Sequence, residues 1–329
     1  MELLSVKNLS VSFDVRPRRA WPWTPSFQLQ AVRDVSLTVA AGETLGIVGE
    51  SGSGKSTLAR SIVGTIPASA GSIIWEGTDL TRLDAKARRA HRKDVQMIFQ
   101  DSLAALNPRM TVGQIIAEPL RTHEPDLSNS EIRARVGEMM ERVGLLSNLI
   151  NRYPHEFSGG QCQRIGIARA LISNPRMVIC DEPVSALDVS VQAQVVNLLC
   201  ELQRDMGLSL IFISHDLSVV QHISDRIAVL YLGRLMEVGA SKDVCQSPLH
   251  PYTQALISAV PIPDPAVARA QKRPVLDGEL PSPMMPPSGC VFRTRCSMAV
   301  PQCAQTVPEL FETKPGHCHG CMVLMNQQA

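Results

Sequence analysis

The sequence predicts an α/β fold built on a parallel β-sheet, and three features of the chain support this. Strand-like and helix-like segments alternate from about residue 30 to residue 235, as they do where parallel strands are joined by helices. The apolar strand Thr44–Val48 runs into a turn rich in glycine and serine, and a helix follows from Lys55. A second apolar strand, Met177–Cys180, ends directly in two acidic residues.

The other core elements follow from hydrophobic patterning. Val95–Phe99 and Leu208–Ser214 are apolar runs of strand length. Val191–Met206 carries apolar residues at helical spacing, and Gly207 suits its C-terminal cap. From about residue 101 to residue 165 the pattern is helical, so we predict a helical subdomain inserted into the core.

The composition changes after about Gly239. Prolines are dense from Pro248 to Pro287 and interrupt regular structure, which predicts an extended arm leading to a cysteine-rich end. We therefore predict two domains, one at residues 1–240 and a C-terminal extension at residues 241–329.

Charge and hydropathy exclude several classes of protein. Lys and Arg number 32 and Asp and Glu 31, so the formal net charge is only +1, whereas nucleic-acid-binding proteins usually show a basic excess. No apolar run is long enough to cross a bilayer, and the first residues lack the pattern of a signal peptide. We expect a cytoplasmic protein that reaches a membrane only through a partner.

The turn after Thr44–Val48 fits the pattern G-x-x-x-x-G-K-[ST] of a phosphate-binding loop. Its glycines let backbone N–H groups point at phosphates, at the positive end of the following helix. Lys55 is suited to reach the β- and γ-phosphates, and Ser56 to ligate Mg²⁺. The alternative, a surface turn, is disfavoured because strand and helix flank the loop. The predicted binding residues are Gly49, Gly52, Gly54, Lys55, Ser56 and Thr57.

The acids that end the strand Met177–Cys180 are candidate catalytic groups. Asp181 is suited to hold Mg²⁺ through its water shell, and Glu182 to polarise the attacking water. A strand ending in Asp-Glu is common by itself, but beside a phosphate-binding loop the catalytic interpretation is favoured.

The segment Phe157–Gln161 reads Phe-Ser-Gly-Gly-Gln and closely resembles the signature motif of ABC ATPases. Ser158 can cap the helix that follows, and Gly159 and Gly160 allow a close approach to a γ-phosphate. The resemblance implies a P-loop NTPase fold of the ABC-ATPase type, with a helical subdomain and an antiparallel β subdomain. It also implies that Ser158, Gly159, Gly160 and Gln161 contact nucleotide held by the opposite subunit of a head-to-tail dimer.

The other motifs of this family occur in the expected order. By resemblance, Gln100 is the Q-loop glutamine that senses Mg²⁺ and the attacking water, and Asp188 ends the D-loop, Ser185–Asp188. His215 is the switch histidine that contacts γ-phosphate, and Phe13 matches the aromatic residue that stacks on adenine. In isolation each of these residues would be an ordinary core or surface residue, so their roles rest on the ordered set.

Longer segments are similar to the ATPases of dipeptide/oligopeptide importers, in particular to the second, dipeptide-type ATPase of those systems. They are Tyr153–Gln161, Asp181–Gln194, His250–Thr253 and the segment from Gly278 to Pro283. One departure is Cys162, where the family usually carries arginine, so a positive charge near the nucleotide is expected to be lost.

The resemblance implies an ATPase that powers import of dipeptides or short oligopeptides, with ATP and Mg²⁺ as ligands. Its implied partners are two transmembrane permease subunits, a second ATPase that is a related but different chain, and, indirectly, an extracytoplasmic substrate-binding protein. The implied location is the cytoplasmic face of the inner membrane. The alternatives are import of glutathione or nickel, a soluble ABC ATPase acting on nucleic acid, and a regulator without hydrolysis.

Five of the nine cysteines lie in the last 40 residues, which in a reducing compartment indicates a metal site before it indicates disulfides. Cys290, Cys296, Cys303 and Cys321 have the spacing C-x₅-C-x₆-C-x₁₇-C. Thiolates suit iron–sulfur clusters or zinc, and spacing alone does not choose. Because some peptide-importer ATPases carry a cluster on a similar tail, we expect a [4Fe–4S] cluster, with zinc and free thiols as alternatives. Cys318 forms a local C-x₂-C pair with Cys321, with His317 and His319 nearby, and offers a competing ligand.

Overall fold

The structure is a computed structural model that describes residues 2–16, 21, 27–260 and 278–328. The chain divides into two compact units. The first unit comprises Met1–Leu3, Val39–Thr44 and Arg82–Ser214, and the second comprises Leu4–Thr38, Leu45–Thr81 and His215–Ala329. The predicted boundary at residue 240 does not follow this division and stays a prediction. Residues 261–277 of the predicted extension lie outside the described residues.

The strands, in chain order, are β1 (Glu2–Val15), β2 (Phe27–Ala40), β3 (Thr44–Val48), β4 (Ala70–Trp75), β5 (Thr78–Asp79), β6 (Val95–Ile98), β7 (Met177–Asp181), β8 (Ser209–Ile213), β9 (Arg226–Tyr231), β10 (Arg234–Ala240), β11 (Phe311–Lys314) and β12 (His317–His319). The α-helices are α1 (Lys55–Val63), α2 (Ala85–His91), α3 (Ser102–Ala105), α4 (Val112–His123), α5 (Asn129–Arg142), α6 (Gly159–Leu171), α7 (Val189–Met206), α8 (Leu217–Ile223), α9 (Ser241–Gln246), α10 (Pro251–Ser258) and α11 (Met322–Gln328).

The first unit contains the parallel strands β6, β7 and β8, with β7 in the middle. Their registers place Ile98 beside Cys180 and Asp181 beside Ile213. Every residue of β7 and β8 is buried, as expected for strands of a parallel sheet that is covered on both faces. The predicted parallel α/β core is therefore present, and β7 carries its first acid to the end of the strand.

Helices fill the first unit after β6. The starts of α4, α5 and α6 each carry a capping box, in which a hydroxyl accepts from a backbone N–H three residues on and that residue's side chain accepts in return. The helical pattern predicted for residues 101–165 is seen, although α6 continues to Leu171. Whether these helices form an inserted subdomain stays a prediction.

The second unit contains an antiparallel sheet, which includes the 14-residue strands β1 and β2, and strands of a mixed sheet. In the antiparallel sheet the order is β2-β1-β4-β5, and β4 runs antiparallel to β1 and β5. In the mixed sheet β3 is parallel to β9, while β10 is antiparallel to β9 and β12. β11 pairs with β12 at the outer side.

The C-terminal extension differs from the predicted arm. Its strand β12 pairs with β10, so that Glu237 lies opposite His319. Phe292 is 1% exposed and packs edge-on against the ring of Tyr231, with ring centroids 5.3 Å apart. Proline density interrupts helices and strands, but these apolar residues still anchor the segment. We call residues 278–328 the C-terminal lobe.

Over the ranges that the structure describes, none of the helices has both the length and the apolar character that a bilayer-spanning segment requires.

Candidate nucleotide-binding site

The phosphate-binding loop of the second unit depends on glycine at two positions. Gly49 has φ 152° and Gly54 has φ 102°. A Cβ on Gly49 would lie 2.1 Å from the carbonyl oxygen of Leu230, and one on Gly54 would lie 2.2 Å from that of Ala31. Larger residues therefore cannot replace them without moving the backbone. Gly54 precedes α1 and no side chain caps this helix; helix starts of this kind are suited to bind anions such as phosphate.

Lys55 opens α1 and is 4% exposed. Its Nζ donates to the carbonyl oxygens of Gly49 at 2.7 Å and Glu50 at 3.0 Å. The ammonium group thus lies inside the curve of the loop, where the sequence predicted a contact with phosphates. Ser56 and Thr57 follow in the first turn of α1 and are half-buried.

Glu50 is held by residues that the sequence analysis did not connect with the loop. Its backbone N–H donates to the hydroxyl oxygen of Tyr252 at 2.9 Å. Arg295 of the C-terminal lobe donates to both oxygens of the Glu50 carboxylate, at 2.7 and 3.0 Å. No local pattern signals this pair, because the two residues are 245 positions apart.

His215 lines a cavity of about 750 Å³ that the phosphate-binding loop also lines. The loop contributes Gly49 and Glu50, and α10 contributes Leu256. The predicted switch histidine and the predicted phosphate loop therefore share one cavity in the second unit.

The predicted catalytic residues of the first unit meet after β6 and β7. Asp181, the last residue of β7, is 1% exposed. Glu182 adopts the left-handed conformation, with φ 48°, and its N–H donates to the carbonyl oxygen of Ile213 at 3.0 Å. The amide of Gln100 donates to Glu182 Oε2 at 3.1 Å. A left-handed conformation costs about 1 kcal/mol or more for a non-glycine residue, and here it directs the carboxylate toward Gln100.

The predicted signature residues form the start of α6. Ser158 caps this helix by accepting from the N–H of Gln161 at 3.3 Å, and Gln161 accepts from the N–H of Ser158 at 3.0 Å. A Cβ on Gly160 would lie 2.5 Å from Val191 Cγ1 on α7. Gly159 has Leu187 nearby, 3.7 Å from the position of a Cβ. Small residues are therefore needed where α6 approaches the start of α7.

Asp188 and Phe13 are found in regular structure. Asp188 caps α7, and the backbone N–H of Val191 holds the pKa of this carboxyl below its usual value, with a smaller contribution from the Ser190 hydroxyl. Phe13 lies in β1 and is half-buried. Their contacts with a second subunit and with adenine stay predictions.

The expectation for Cys162, that a positive charge near the nucleotide is lost, stays a prediction. Its side chain is 1% exposed, and Sγ lies 3.5 Å from the carbonyl oxygen of Pro154 in the same unit. Burial raises the pKa of this thiol. The residue therefore packs inside the helical region.

None of the nine cysteines, all of which lie in described ranges, forms a disulfide. Burial raises the pKa of the Cys290 thiol to about 11, with added contributions from the charges of Cys303, Cys296 and Cys321. Cys318 instead interacts with Glu312 and Arg226. Within the described ranges no group of three or more His, Cys, Asp or Glu side chains is arranged to hold a metal ion. The geometry thus leaves the predicted iron–sulfur cluster unsupported.

Solved structures with similar folds define the class of protein. A dimeric ATP-binding cassette, MJ0796, described as a post-hydrolysis state bound to ADP and Pi, aligns with a TM-score of 0.65 and 27% identity, over 73% of this chain and 99% of that one. CbiO1 from Clostridium perfringens, part of an ABC transporter complex, aligns with a TM-score of 0.63 and 27% identity, over 75% of this chain and 91% of that one. The fold and the loop define an ATPase of the ABC type.

Sequence relatives narrow the class to one family. The profile described as ABC transporter matches residues 32–185, and the one described as the oligopeptide/dipeptide transporter C-terminal region matches residues 236–303. The oligopeptide transport ATP-binding protein OppF of Salmonella typhimurium is 62% identical over 97% of this chain and 96% of its own length. A putative oligopeptide transport ATP-binding protein of Bacillus subtilis, YkfD, is 50% identical over 100% of this chain and 97% of its own length. The chain belongs to the ATP-binding subunits of oligopeptide/dipeptide ABC transporters, and its activity is ATP hydrolysis coupled to transport.

Proposed function

We propose that this ATPase powers the import of short oligopeptides. The observation that carries the proposal is the 62% identity to OppF over 97% of the chain, together with the match of its C-terminal region to the oligopeptide/dipeptide type. Glutathione and nickel remain the alternative substrates of the same machinery, since the ATPase does not itself contact the transported molecule in this architecture. The near-neutral charge of the chain, +1, gives no support to a function on nucleic acid.

Uptake in cells tests the substrate. In an Escherichia coli strain that lacks its own OppF, expression of this chain should restore uptake of a labelled short oligopeptide. The same chain with Lys55→Ala should not restore it. Restored uptake of glutathione or nickel without uptake of the peptide would reject the peptide assignment and leave the ATPase assignment intact.

ATP and Mg²⁺ are the ligands that membership of this family implies. The residues proposed for Mg²⁺ supply oxygen atoms of hydroxyl, carboxylate and amide groups, which are the ligands that Mg²⁺ prefers. We assign Ser56, Gln100 and Asp181 to the magnesium ion, which neutralises phosphate charge when bound.

In the proposed mechanism Lys55 binds the β- and γ-phosphates, and the loop N–H groups hold them in place. Glu182 accepts the proton of the attacking water, which Gln100 helps to orient through its bond to the same carboxylate. His215 contacts the γ-phosphate from the cavity that it shares with the loop.

The complete site requires two ATPase subunits. We propose that the signature of one subunit, centred on Ser158, closes over nucleotide held by Lys55 of the other. A similar cassette, MJ0796, is described as dimeric and bound to ADP and Pi, which supports the arrangement. The purified chain alone should then be largely monomeric and poorly active, and adding the partner ATPase and the permease subunits should raise its turnover.

The membrane partners are proposed to be two permease subunits that hold the ATPase at the cytoplasmic face of the inner membrane. The second ATPase of the complex is a related but different chain, and an extracytoplasmic binding protein delivers the substrate. The permeases should dock at residues 101–120, which include α3 and the start of α4. Crosslinks from the permeases that map only to the C-terminal lobe would contradict this placement.

For the lobe we propose a [4Fe–4S] cluster on Cys290, Cys296, Cys303 and Cys321. These four are preferred to Cys318 because Cys290 interacts electrostatically with the other three, whereas Cys318 interacts with Glu312 and Arg226; within the described ranges they are not arranged to hold a metal ion. Four soft thiolates are the donor set of such clusters and of structural zinc sites. A cluster bound here would hold the segments of the lobe together and would take no part in a redox reaction.

Iron and sulfide analysis after anaerobic purification, with a visible absorption spectrum, tests the cluster. Substitution of Cys321 by serine should abolish the absorption, and the same change at Cys318 should leave it intact. A colourless protein with stoichiometric zinc, or without metal, would reject the cluster.

A further inference from the structure

The phosphate-binding loop and the C-terminal lobe are joined at one residue, Glu50. Three of its groups are engaged at once. Its carbonyl oxygen accepts from Lys55 Nζ at 3.0 Å, its N–H donates to the Tyr252 hydroxyl at 2.9 Å, and its carboxylate accepts both bonds from Arg295. Glu50 therefore connects the ammonium group of Lys55, the proposed phosphate ligand, to the guanidinium group of Arg295 in the lobe.

The Arg295–Glu50 pair is well placed to be strong. The Arg295 side chain is only 8% exposed and that of Glu50 is 24% exposed, so solvent screens the pair less than it screens a surface ion pair. The geometry is bidentate, which is the favoured arrangement of a guanidinium with a carboxylate.

The lobe holds Arg295 in place for this contact. The backbone N–H of Arg295 donates to the carbonyl oxygen of Phe292 at 3.0 Å, and Phe292 packs against the rings of Tyr231 and Tyr252. The guanidinium also lies 5.9 Å from the centroid of the Tyr231 ring. Arg293, two residues earlier, points elsewhere and donates to the carbonyl oxygen and hydroxyl of Ser288.

The negative charge of the Glu50 carboxylate is unfavourable beside a site that binds the phosphates of ATP. Glu50 is the second residue of a loop that must hold the phosphates of ATP, and like charges repel over such distances in a partly buried site. Arg295 cancels that charge and fixes the side chain that carries it. The pair thus serves the loop electrostatically as well as sterically.

We propose that Arg295 is a positioning residue for ATP binding, which acts through Glu50 by neutralising its carboxylate and holding the phosphate-binding loop in place. The C-terminal lobe thereby sets the affinity of the loop for nucleotide. This inference rests on ATP binding by the family and is independent of the substrate that the transporter carries.

The test is calorimetric titration of the purified full-length chain with Mg·ATP and Mg·ADP. Arg295→Met keeps the length of the side chain and its packing against Tyr231 but removes the charge. We expect it to weaken ATP binding about tenfold, the loss of one charge-assisted contact, and to weaken ADP binding less because ADP carries less charge. The matched control Arg293→Met should bind both nucleotides as the unmodified chain does. In the assembled transporter Arg295→Met should raise the KM for ATP about tenfold, with kcat within about twofold.

A second substitution separates charge from folding. If Arg295 acts by neutralising Glu50, then Glu50→Gln in the Arg295→Met background should restore most of the lost affinity, and Arg295→Lys should lose only about threefold. Glu50→Gln alone, which leaves the lobe intact, should bind ATP at least as tightly as the unmodified chain. Unchanged ATP affinity of Arg295→Met, no rescue by Glu50→Gln, or weaker binding by Glu50→Gln alone would each overturn the proposal.

Discussion

Two helix starts carry the nucleotide motifs of this chain, and they are built in opposite ways. The start of α1 has no side-chain cap, and its preceding residue is a glycine in the left-handed conformation, Gly54. The start of α6 is closed by the reciprocal capping box of Ser158 and Gln161. The first has no capping side chain, as at helix starts that bind anions, whereas the second is capped by side chains of its own sequence.

The phosphate-binding loop and the signature motif therefore differ in how the start of the following helix is stabilised. An uncapped helix start gains stability when an anion binds, so the phosphate loop and its ligand depend on each other. A capped start is stable before any ligand arrives and can be presented preformed to a second subunit. Four predictions test the roles of these motifs, beginning with the largest expected effect.

The largest effect should come from a residue at neither helix start. Glu182→Gln removes the proposed base, and general-base catalysis contributes about 10² to 10⁴ in rate. Turnover in the assembled transporter should fall by at least about 10², while ATP affinity stays unchanged and a nucleotide-bound dimer accumulates. Steady-state ATPase assays with calorimetric titration measure both. Glu201→Gln, an exposed acid on α7, is the control, and near-normal hydrolysis by Glu182→Gln would remove this residue from its role.

The second prediction concerns the uncapped start. Lys55→Ala removes the ammonium group that lies inside the loop, and two charge-assisted hydrogen bonds to phosphate correspond to about 3 kcal/mol, or about a hundredfold in affinity. Titration with Mg·ATP should show this loss directly. Lys86→Ala, at an exposed lysine of α2, should leave the affinity unchanged. An unaltered affinity for Lys55→Ala would mean that the loop is misplaced.

The local patterns of the sequence predicted these two elements well. The loop Gly49–Ser56 and the two acids at the end of β7, Asp181 and Glu182, are contiguous segments. Each can therefore be recognised from the order of its residues alone. The predicted strand Met177–Cys180 is one residue shorter than β7. Apolar residues at helical spacing predicted the helical stretch after Gln100 for the same reason, since this spacing is visible within a short segment of sequence.

Contacts between distant segments could not be read in this way. Two such contacts are the ion pair of Glu50 with Arg295 and the pairing of β12 with β10. Both join segments that are far apart in the sequence, so no local composition predicts them. The burial of Cys162 is a similar case, because only the packing of α6 shows that its side chain is 1% exposed.

The third prediction tests the close approach at the capped start. Gly160→Ala places a Cβ 2.5 Å from Val191 Cγ1, and overpacking costs about 1–3 kcal/mol. Urea unfolding should show a loss of this size, even though alanine favours a helix more than glycine does. Val191→Ala removes the clashing methyl group, so the double substitution should recover the stability. A single Gly160→Ala variant as stable as the unmodified chain would show that α7 moves aside freely.

The fourth prediction separates the two roles of Ser158, as the cap of α6 and as a proposed nucleotide contact. Ser158→Ala should lower the free energy of unfolding by about 1 kcal/mol, because the hydroxyl that accepts from Gln161 is lost. Ser158→Asp keeps a capping oxygen and should retain the stability, but it brings a negative charge toward the γ-phosphate and should abolish hydrolysis in the assembled transporter. Ser128 provides matched controls, since it closes α5 by the same kind of capping box with Glu131.

Substitution of Ser128 by alanine and aspartate should reproduce the two stability results and leave ATPase activity unchanged. A Ser158→Asp variant that hydrolyses ATP normally would show that the capped start is structural only, and that the contrast with α1 extends to function.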